Sequence, residues 1–420
     1  MSSTRSTPPP SSGRHRHRRT ATEPEHIGGH GHGHGRAAPV SRRVRLLLVA
    51  LLVPFVLAAL VGVTLTWPDS GLRPTGADLG FGQRPVQGEI TSARTAPCTA
   101  DGTVTSGEGG CIALGIRLTD GEAPGSTIRQ VLPDEPSTPE FAVGDRVVLA
   151  YTGGDPADES SYQVVDFQRG VPMLWLAALF AAAVLLLGRW KGMASLAALG
   201  FSFLVLLAYV LPAILSGSDP LTVGVLGAGV IMFGTLYLSH GVSARTSTAV
   251  VGTLLSLGLI MGLGTAFAGA TRLTGLDSDT ANLISVLGTG IDARGLLLAG
   301  VIIGALGVLD DVTVTQTSAV WELRRANPEL GWRQLYSAAL RIGRDHISSA
   351  VNTLALAYAG AALPVLLAFS VSGQTFGTLV TAQDVAQEVV RTLVGSIGLV
   401  AAVPITTLIA ALVARRDQLP

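Results

Sequence analysis

Two adjacent carboxylates, Asp310 and Asp311, follow a long run of residues without charge in this 420-residue chain. A carboxylate inside a membrane-crossing helix costs ~2.5 to 3.5 kcal/mol on insertion scales, so such residues are rare and usually face the interior of a helix bundle. Four polar residues share one helical face at the spacing i, i+4, i+7 and i+11: Asp311, Thr315, Ser318 and Glu322. This stripe predicts an ion or proton pathway, with Asp310 about 100° away around the helix.

A second stripe follows in the next helical segment, where Asp345, Ser349 and Asn352 have the spacing i, i+4 and i+7. The two helices should run antiparallel, with Asn352 level with Ser318 and Thr315. Together they would enclose a polar, partly hydrated cavity open to the cytoplasm. The alternative is a hydrogen-bonded clasp between helices without a transport role.

Other features of this region have structural interpretations. Gly300, Gly304 and Gly307 form a small-residue surface that lets another helix come close. Residues 331–342 are amphipathic, which fits either a helix in the membrane interface or an ordinary cytoplasmic hairpin. Three polar residues near the end of another apolar run are interpreted as packing or interface residues: Thr235, Ser239 and His240.

The composition indicates which elements must position these residues. The chain is 48% hydrophobic and only 14% charged, with 51 Gly, which is typical of a helical protein with many membrane spans. Runs of about 20 apolar residues can cross a hydrocarbon core about 30 Å thick. Eight candidates are found, at 44–66, 172–188, 193–215, 221–239, 248–270, 295–320, 347–371 and 392–413. The first is interpreted as an uncleaved anchor, a signal peptide being the alternative. The last seven form the predicted membrane domain over 172–413.

Arg and Lys cluster in alternate loops, including Arg324, Arg325 and Arg341 on one side, which predicts that both termini are cytoplasmic. Residues 1–45 contain nine Arg and two Glu, whereas residues 69–170 contain seven Arg and fifteen acids. The two ends of the first apolar run therefore face different environments.

Residues 85–168 contain five short β-rich runs separated by Gly, Pro and Asp, which predicts a small β-barrel-like domain outside the cytoplasm. The sequence of residues 141–149 is typical of a turn that leads into a strand. Cys98 and Cys111, the two cysteines of the chain, both lie here, and a disulfide between them would stabilise the domain by about 3 kcal/mol. Two free buried thiols are the alternative. The acidic surface argues against nucleic acid as a partner.

The N-terminal residues 1–43 lack periodic apolar residues and are rich in Arg, His and Gly, so we expect a disordered cytoplasmic tail. Histidines alternating with glycine, such as His30, His32 and His34, could tether a transition metal, but they fix no geometry. Attraction of a basic tail to anionic lipid heads is favoured, and no metal site is assigned.

Two motifs resemble the YibE/F family of bacterial membrane proteins. One is Ile291 to Val312 followed by Glu322-Leu323, and the other joins Ile342-Gly-Arg-Asp345 to Asn352-Thr-Leu354, Ala357 to Gly360 and Pro364. The resemblance extends from about residue 80 to the end and implies a polytopic protein of the bacterial cell membrane. By the family's pattern the matching polar residues are Asp311, Glu322, Asp345, Asn352 and Tyr358, whereas Asp310 falls where the family often has an apolar residue.

Three functions fit these features. The first is an ion-coupled transporter or permease for a small ion or metabolite, using the intramembrane carboxylates. The second is an intramembrane enzyme, which we do not expect because Gly307-Val-Leu-Asp310 lacks the second Gly of intramembrane aspartyl proteases. The third is a non-catalytic assembly protein that binds partners through its β domain. Besides the lipid bilayer, the candidate partners are a second copy or a second membrane subunit, and no cofactor is identified.

Overall fold

The structure is a computed structural model that describes residues 41–68, 83–97, 110–287, 290–371, 373 and 375–416. The predicted tail lies outside these residues except for its last three positions, of which Arg42 and Arg43 already belong to a helix. Cys98 also lies outside them, so its pairing with Cys111 stays a prediction.

Five strands form one antiparallel sheet in the order β3-β2-β1-β4-β5. The strands are β1 Arg84–Pro97, β2 Gly110–Leu118, β3 Thr127–Pro133, β4 Arg146–Tyr151 and β5 Tyr162–Phe167. The sheet curls into a half-barrel, and no backbone pairing joins its edge strands β3 and β5 within the described residues. The five predicted strands are confirmed, whereas a closed barrel is not.

The inner face of the curled sheet is apolar because alternate strand residues point inward. Ile116 and Val147 are fully buried there. The predicted turn before β4 is present: Asp145 accepts a hydrogen bond from the backbone N–H of Ala142 at 2.8 Å, and Gly144 has a φ of +95°, which an L side chain rarely adopts. This turn sets the register with which β4 joins β1.

The helices before the predicted site are α1 Arg42–Leu65, α2 Gly170–Val205, α3 Leu211–Leu215, α4 Pro220–His240 and α5 Ala244–Ala270. Those that follow are α6 Ser278–Leu287, α7 Ala293–Ala326, α8 Trp332–Ala361, α9 Leu363–Val371, α10 Phe376–Thr381 and α11 Gln383–Arg416. A π-helical turn, Leu206–Val210, joins α2 to α3.

Six helical stretches of the described chain are long and apolar enough to cross a membrane, and the predicted total of eight spans is not established. Part of the difference lies in Gly170–Leu215, which counts as one stretch of 46 residues. At 1.5 Å per residue such a helix would be roughly 70 Å long, far more than a bilayer core. Arg189 interrupts it with a φ of 51°, between the two predicted spans. The remaining difference is the span predicted at 347–371, which is divided between α8 and α9.

Contacts at glycines fix the direction of the helices. Gly62 of α1 packs against Leu226 of α4, and Gly224 of α4 packs against Ala299 of α7. Thr235 of α4 contacts Asp310 of α7 farther along both helices, so α4 and α7 run parallel. The start of α1 lies against the start of α5, which follows the end of α4, whereas Gly62 packs near the start of α4, so α1 runs antiparallel to both. We call the end of the bundle at which α1 begins the Arg42 end, and α4 and α7 terminate there.

Helices α5, α7 and α11 pack together in the centre of the bundle. Gly398 of α11 packs against Ile260 of α5, and Gly252 of α5 packs against Thr406 of α11, so these two helices run antiparallel. Small residues at these positions allow the helix backbones to approach closely. The face of α7 that carries Thr313 is therefore packed against α5.

Helices α7 and α8 form an antiparallel hairpin whose register differs from the prediction. Gln316 of α7 donates to the backbone carbonyl of Ala339 at 2.7 Å, and His346 lies beside Asp311. Asn352 therefore stands near the level of Gly307, instead of near Ser318. Residues 331–342, for which an interfacial helix and an ordinary cytoplasmic helical hairpin were both expected to fit, form the first part of α8, and the turn between α7 and α8 is short.

Candidate functional site

Asp310 is the carboxylate that α7 turns into the bundle. Its Oδ2 accepts a hydrogen bond from the hydroxyl of Thr235 on α4 at 3.0 Å. Its Oδ1 is buried and has no hydrogen-bond partner among the described residues. A buried carboxylate oxygen without a hydrogen-bond partner raises the free energy of the folded protein. The Oδ1 atom of Asp310 is therefore available to carry a proton or to coordinate a cation.

Buried hydroxyl groups extend the inward polar surface from Asp310 toward the C-terminal end of α7. Thr313 and Thr317, at i+3 and i+7, lie on the same face of α7 and are fully buried. The Thr313 hydroxyl is 2.9 Å from that of Thr253 on α5. The spacing of Asp310, Thr313 and Thr317 could have revealed this inward face from the sequence, but the prediction followed the neighbouring stripe.

The predicted stripe on α7 lies on the outer surface of the single chain. The Asp311 side chain is 72% exposed, Thr315 is exposed and Ser318 is half-buried. The Glu322 side chain is 57% exposed and forms an ion pair with Arg325 at 3.2 Å. The expectation that the stripe containing Asp311 faces the interior of the bundle is therefore wrong within one chain, and the inward carboxylate of α7 is Asp310.

Asp311 has a neighbour across the helix hairpin that sequence reasoning missed. The Nε2 atom of His346 on α8 is 3.7 Å from Asp311 Oδ2, and this nitrogen is buried without a hydrogen-bond partner among the described residues. The pair is an ion pair only when the imidazole is protonated. The predicted site residues of α8 lie near this pair, and all of them are exposed: Asp345, Ser349 and Asn352.

Tyr358 marks the far end of this groove between α7 and α8. Its hydroxyl lies over Gly304, 2.9 Å from where a β-carbon would stand. Within the described chain, nothing comes within 4 Å of a β-carbon at Gly300 or Gly307. The small-residue surface predicted at these glycines therefore packs against no other helix of the same chain, and α7 instead meets α4 closely at Ala299.

Beyond Tyr358 a cleft of about 570 Å³ lies between α8, α9 and α11. Glu388 and Arg391 line it and form an ion pair of 2.7 Å. The other walls are mostly Ala, Val and Leu side chains. Neither Glu388 nor Arg391 was predicted as a site residue, although Asp384, Glu388 and Arg391 follow the spacing i, i+4 and i+7, because they precede the span predicted at 392–413.

The site brings together carboxylates, hydroxyls and one imidazole. Among the described residues, no group of three or more His, Cys, Asp or Glu side chains could hold a metal ion. The chemistry available is thus proton exchange at single carboxylates, or weak coordination of a cation by one carboxylate with hydroxyl and carbonyl oxygens.

The other residues singled out from the sequence lie apart from this groove. His240 is the last residue of α4, at the Arg42 end of the bundle. Cys111 lies near the start of β2 and is 5% exposed. Neither contributes an atom to the carboxylate site.

Comparison with known proteins supports the resemblance in the sequence. The model of the family described as YibE/F-like protein matches residues 176–416, more than half of the chain. The match begins after the β domain, so it is shorter than the resemblance predicted from about residue 80. Comparisons with curated proteins and with solved structures gave no match. The match contains all of the helices that form the carboxylate site, and on this basis the chain belongs to the YibE/F-like family.

Proposed function

We propose that this protein is a non-enzymatic permease of the bacterial cell membrane that moves a small substrate coupled to a proton or cation. Both termini are cytoplasmic in this proposal, so the Arg42 end faces the cytoplasm. The observation that supports this proposal is the environment of the Asp310 carboxylate. One of its oxygens accepts a hydrogen bond from Thr235, and the other is buried without a hydrogen-bond partner in the described structure.

The physical argument concerns the charge of Asp310. An ionised carboxylate in a membrane-crossing helix is costly unless a charge of opposite sign or several donors stabilise it. Thr235 supplies a single donor, and no cationic side chain forms an ion pair with Asp310 in the described structure. The group is therefore stable either as the neutral acid or with a bound cation, and exchange between these forms is what a coupled transporter needs.

In this proposal, Asp311 is the group in the groove between α7 and α8 that receives a proton or cation leaving Asp310. The two aspartates are adjacent in the chain but point in different directions, one toward Thr235 and the other toward His346. Ser349 and Asn352 add polar atoms along the groove, and Tyr358 stands at its far end. A proton or cation released from Asp310 would meet Asp311 next.

The test uses the full-length protein in liposomes that contain a pH-sensitive dye. Gradients of Na⁺, K⁺ and Mn²⁺ are applied one at a time, and internal pH and ion uptake are recorded. We expect Asp310→Asn to lower coupled flux at least tenfold, because the amide neither exchanges a proton nor neutralises a cation. Glu140→Gln, which removes one exposed charge in the β domain, is the matched control.

The proposal fails if Asp310→Asn moves every probe ion at the rate of the unaltered protein. It also fails if the unaltered protein moves neither protons nor any of the three ions.

A second candidate is a non-catalytic assembly protein, favoured by the open edges of the β sheet. The edge strands β3 and β5 each have one side without a paired strand in the described structure, and such edges can accept a strand from a partner. In that case co-purification of the partner would survive Asp310→Asn and be lost on deletion of residues 85–168.

A further inference from the structure

Helices α7 and α8 leave a polar face uncovered in the single chain. On α7 its residues follow one helical face at steps of three or four, and all are exposed: Gly300, Gly304, Gly307, Asp311 and Thr315. On α8 the exposed polar residues are Arg341, Arg344, Asp345, Ser348, Ser349 and Asn352. We call these two sets together the open face.

The open face lies at the depth of the bilayer core. Gly62 of α1 is level with Leu226 of α4, and Gly224 is level with Ala299 of α7. At 1.5 Å per helical residue, these contacts put Asp311 roughly 10 Å farther into the membrane than Arg45, the last basic residue at the start of α1. Asp311 is nevertheless 72% exposed.

Contact with lipid hydrocarbon is energetically unfavourable for such a polar surface. Charged side chains in contact with hydrocarbon are costly, and those found inside membrane proteins face protein or water. Helix α8 buries only one narrow seam against α7 and α11, formed by Leu335, Ala339, Gly343 and Leu354. The remainder of its surface, including Arg344 and Asp345, needs another covering.

The charges of the open face are complementary to one another. It carries two arginines, Arg341 and Arg344, and two aspartates, Asp311 and Asp345. A two-fold axis brings the same patch of two copies together, so an interface of this kind must match itself. A patch with equal numbers of both signs meets that requirement, whereas a patch of one sign would repel its copy.

We propose that a second copy of this chain covers the open face, so that the groove containing Asp311 is completed at a homodimer interface. The arginines of α8 in each copy meet the aspartates of the other. The exposed glycines of α7 let the second copy approach closely. This proposal concerns the groove of the proposed permease, but its test measures proximity and not flux, so the two can fail separately.

The first test is oxidative cross-linking in native membranes. Ser349→Cys is introduced with Cys98 and Cys111 replaced by Ser, and the membranes are treated with copper phenanthroline. We expect a covalent dimer. Leu179→Cys is the matched control, because Leu179 lies in the middle of the first half of α2 and is 69% exposed, yet lies outside the open face. It should remain monomeric.

The second test reverses charges. Asp345→Arg puts like charges opposite each other and should lower the yield of the Ser349→Cys dimer at least fivefold. The double variant Arg344→Asp with Asp345→Arg restores both signs and should recover the yield. A merely structural role of Asp345 does not predict this recovery.

Two results would overturn the proposal. One is a Ser349→Cys protein that reacts readily with a membrane-impermeant maleimide and forms no dimer, which would indicate an open water-filled groove. The other is a cross-link to a different protein, which would assign the open face to a second kind of subunit.

Discussion

Thr235, on another helix, donates the single hydrogen bond that the carboxylate of Asp310 accepts from a side chain in the described structure. The bond fixes the carboxyl group and leaves its second oxygen available. Removing a donor to a buried charged group costs about 1 to 3 kcal/mol. The Thr235 hydroxyl is therefore expected to matter for the coupling step more than for the fold.

Thr235→Val should lower coupled flux in liposomes roughly tenfold, because 1.4 kcal/mol corresponds to a factor of ten. Thr235→Ser keeps the hydroxyl and should retain most of the flux. Both variants are compared at equal protein content, measured by size-exclusion chromatography. Flux retained by Thr235→Val and lost by Thr235→Ser would show that the methyl group, not the hydroxyl, is what the site requires.

The residue scale also shows what the sequence could reveal about the site. Helical periodicity correctly grouped Asp311 with Thr315 and Glu322 on one face and separated Asp310 from them. It could not say which face points inward, because α7 is polar on both and the neighbouring helices decide. His346 was missed because its contact with Asp311 depends on the register of α7 against α8.

At the scale of elements, close helix contacts depend on positions without side chains. A β-carbon at Gly224 would lie 2.5 Å from the β-carbon and 3.0 Å from the α-carbon of Ala299 on α7. The α-carbon belongs to the backbone and cannot move away without shifting α7. Gly229, also on α4, has nothing within 4 Å.

Gly224→Ala should therefore destabilise the protein by about 1 to 3 kcal/mol through overpacking. Gly229→Ala should be neutral or stabilising, since Ala is the better helix former by about 1 kcal/mol. Thermal unfolding in detergent, followed by the loss of the monodisperse chromatographic peak, compares the two. A lower midpoint for Gly229→Ala than for Gly224→Ala would contradict the contact between α4 and α7.

The interruption at Arg189 within Gly170–Leu215 gives a second prediction for an element. Arg189 has a φ of 51° and a ψ of −128°, a conformation that side chains with a β-carbon rarely adopt. Arg189→Gly should stabilise the protein by about 1 kcal/mol relative to Arg189→Ala, because both variants lose the charge but only Gly relieves the strain. The same unfolding assay measures it, and equal midpoints would argue against the strained turn.

Strands were predicted more accurately than the helix hairpin. The structure has the five strands expected within residues 85–168, since Gly, Pro and Asp turns separate the β-rich runs in this part of the sequence. Residues 331–342 read as an amphipathic segment, which left open whether they form an interfacial helix or part of a cytoplasmic helical hairpin. In the structure these residues simply continue into the rest of α8.

For the whole molecule, the position of α8 decides whether the groove beside Asp311 connects the two sides of the membrane. It is not among the six stretches apolar enough to qualify by composition. Its contacts nevertheless place it antiparallel beside α7, with Ala339 level with Gln316 and Tyr358 level with Gly304. A polar helix can occupy that position when protein or water covers its charged side.

We therefore predict that the two ends of the α8–α9 region lie on opposite sides of the membrane. Ser337→Cys, near the start of α8, should react with a membrane-impermeant maleimide only in inside-out vesicles. Val371→Cys, at the end of α9 and 81% exposed, should react only in intact cells stripped of their outer layers. Both are made with Cys98 and Cys111 replaced by Ser, and that double variant is the unlabelled control. Labelling of both positions from the same side would mean that the α8–α9 region enters and leaves the membrane on one side. The groove beside Asp311 could not then connect the two compartments.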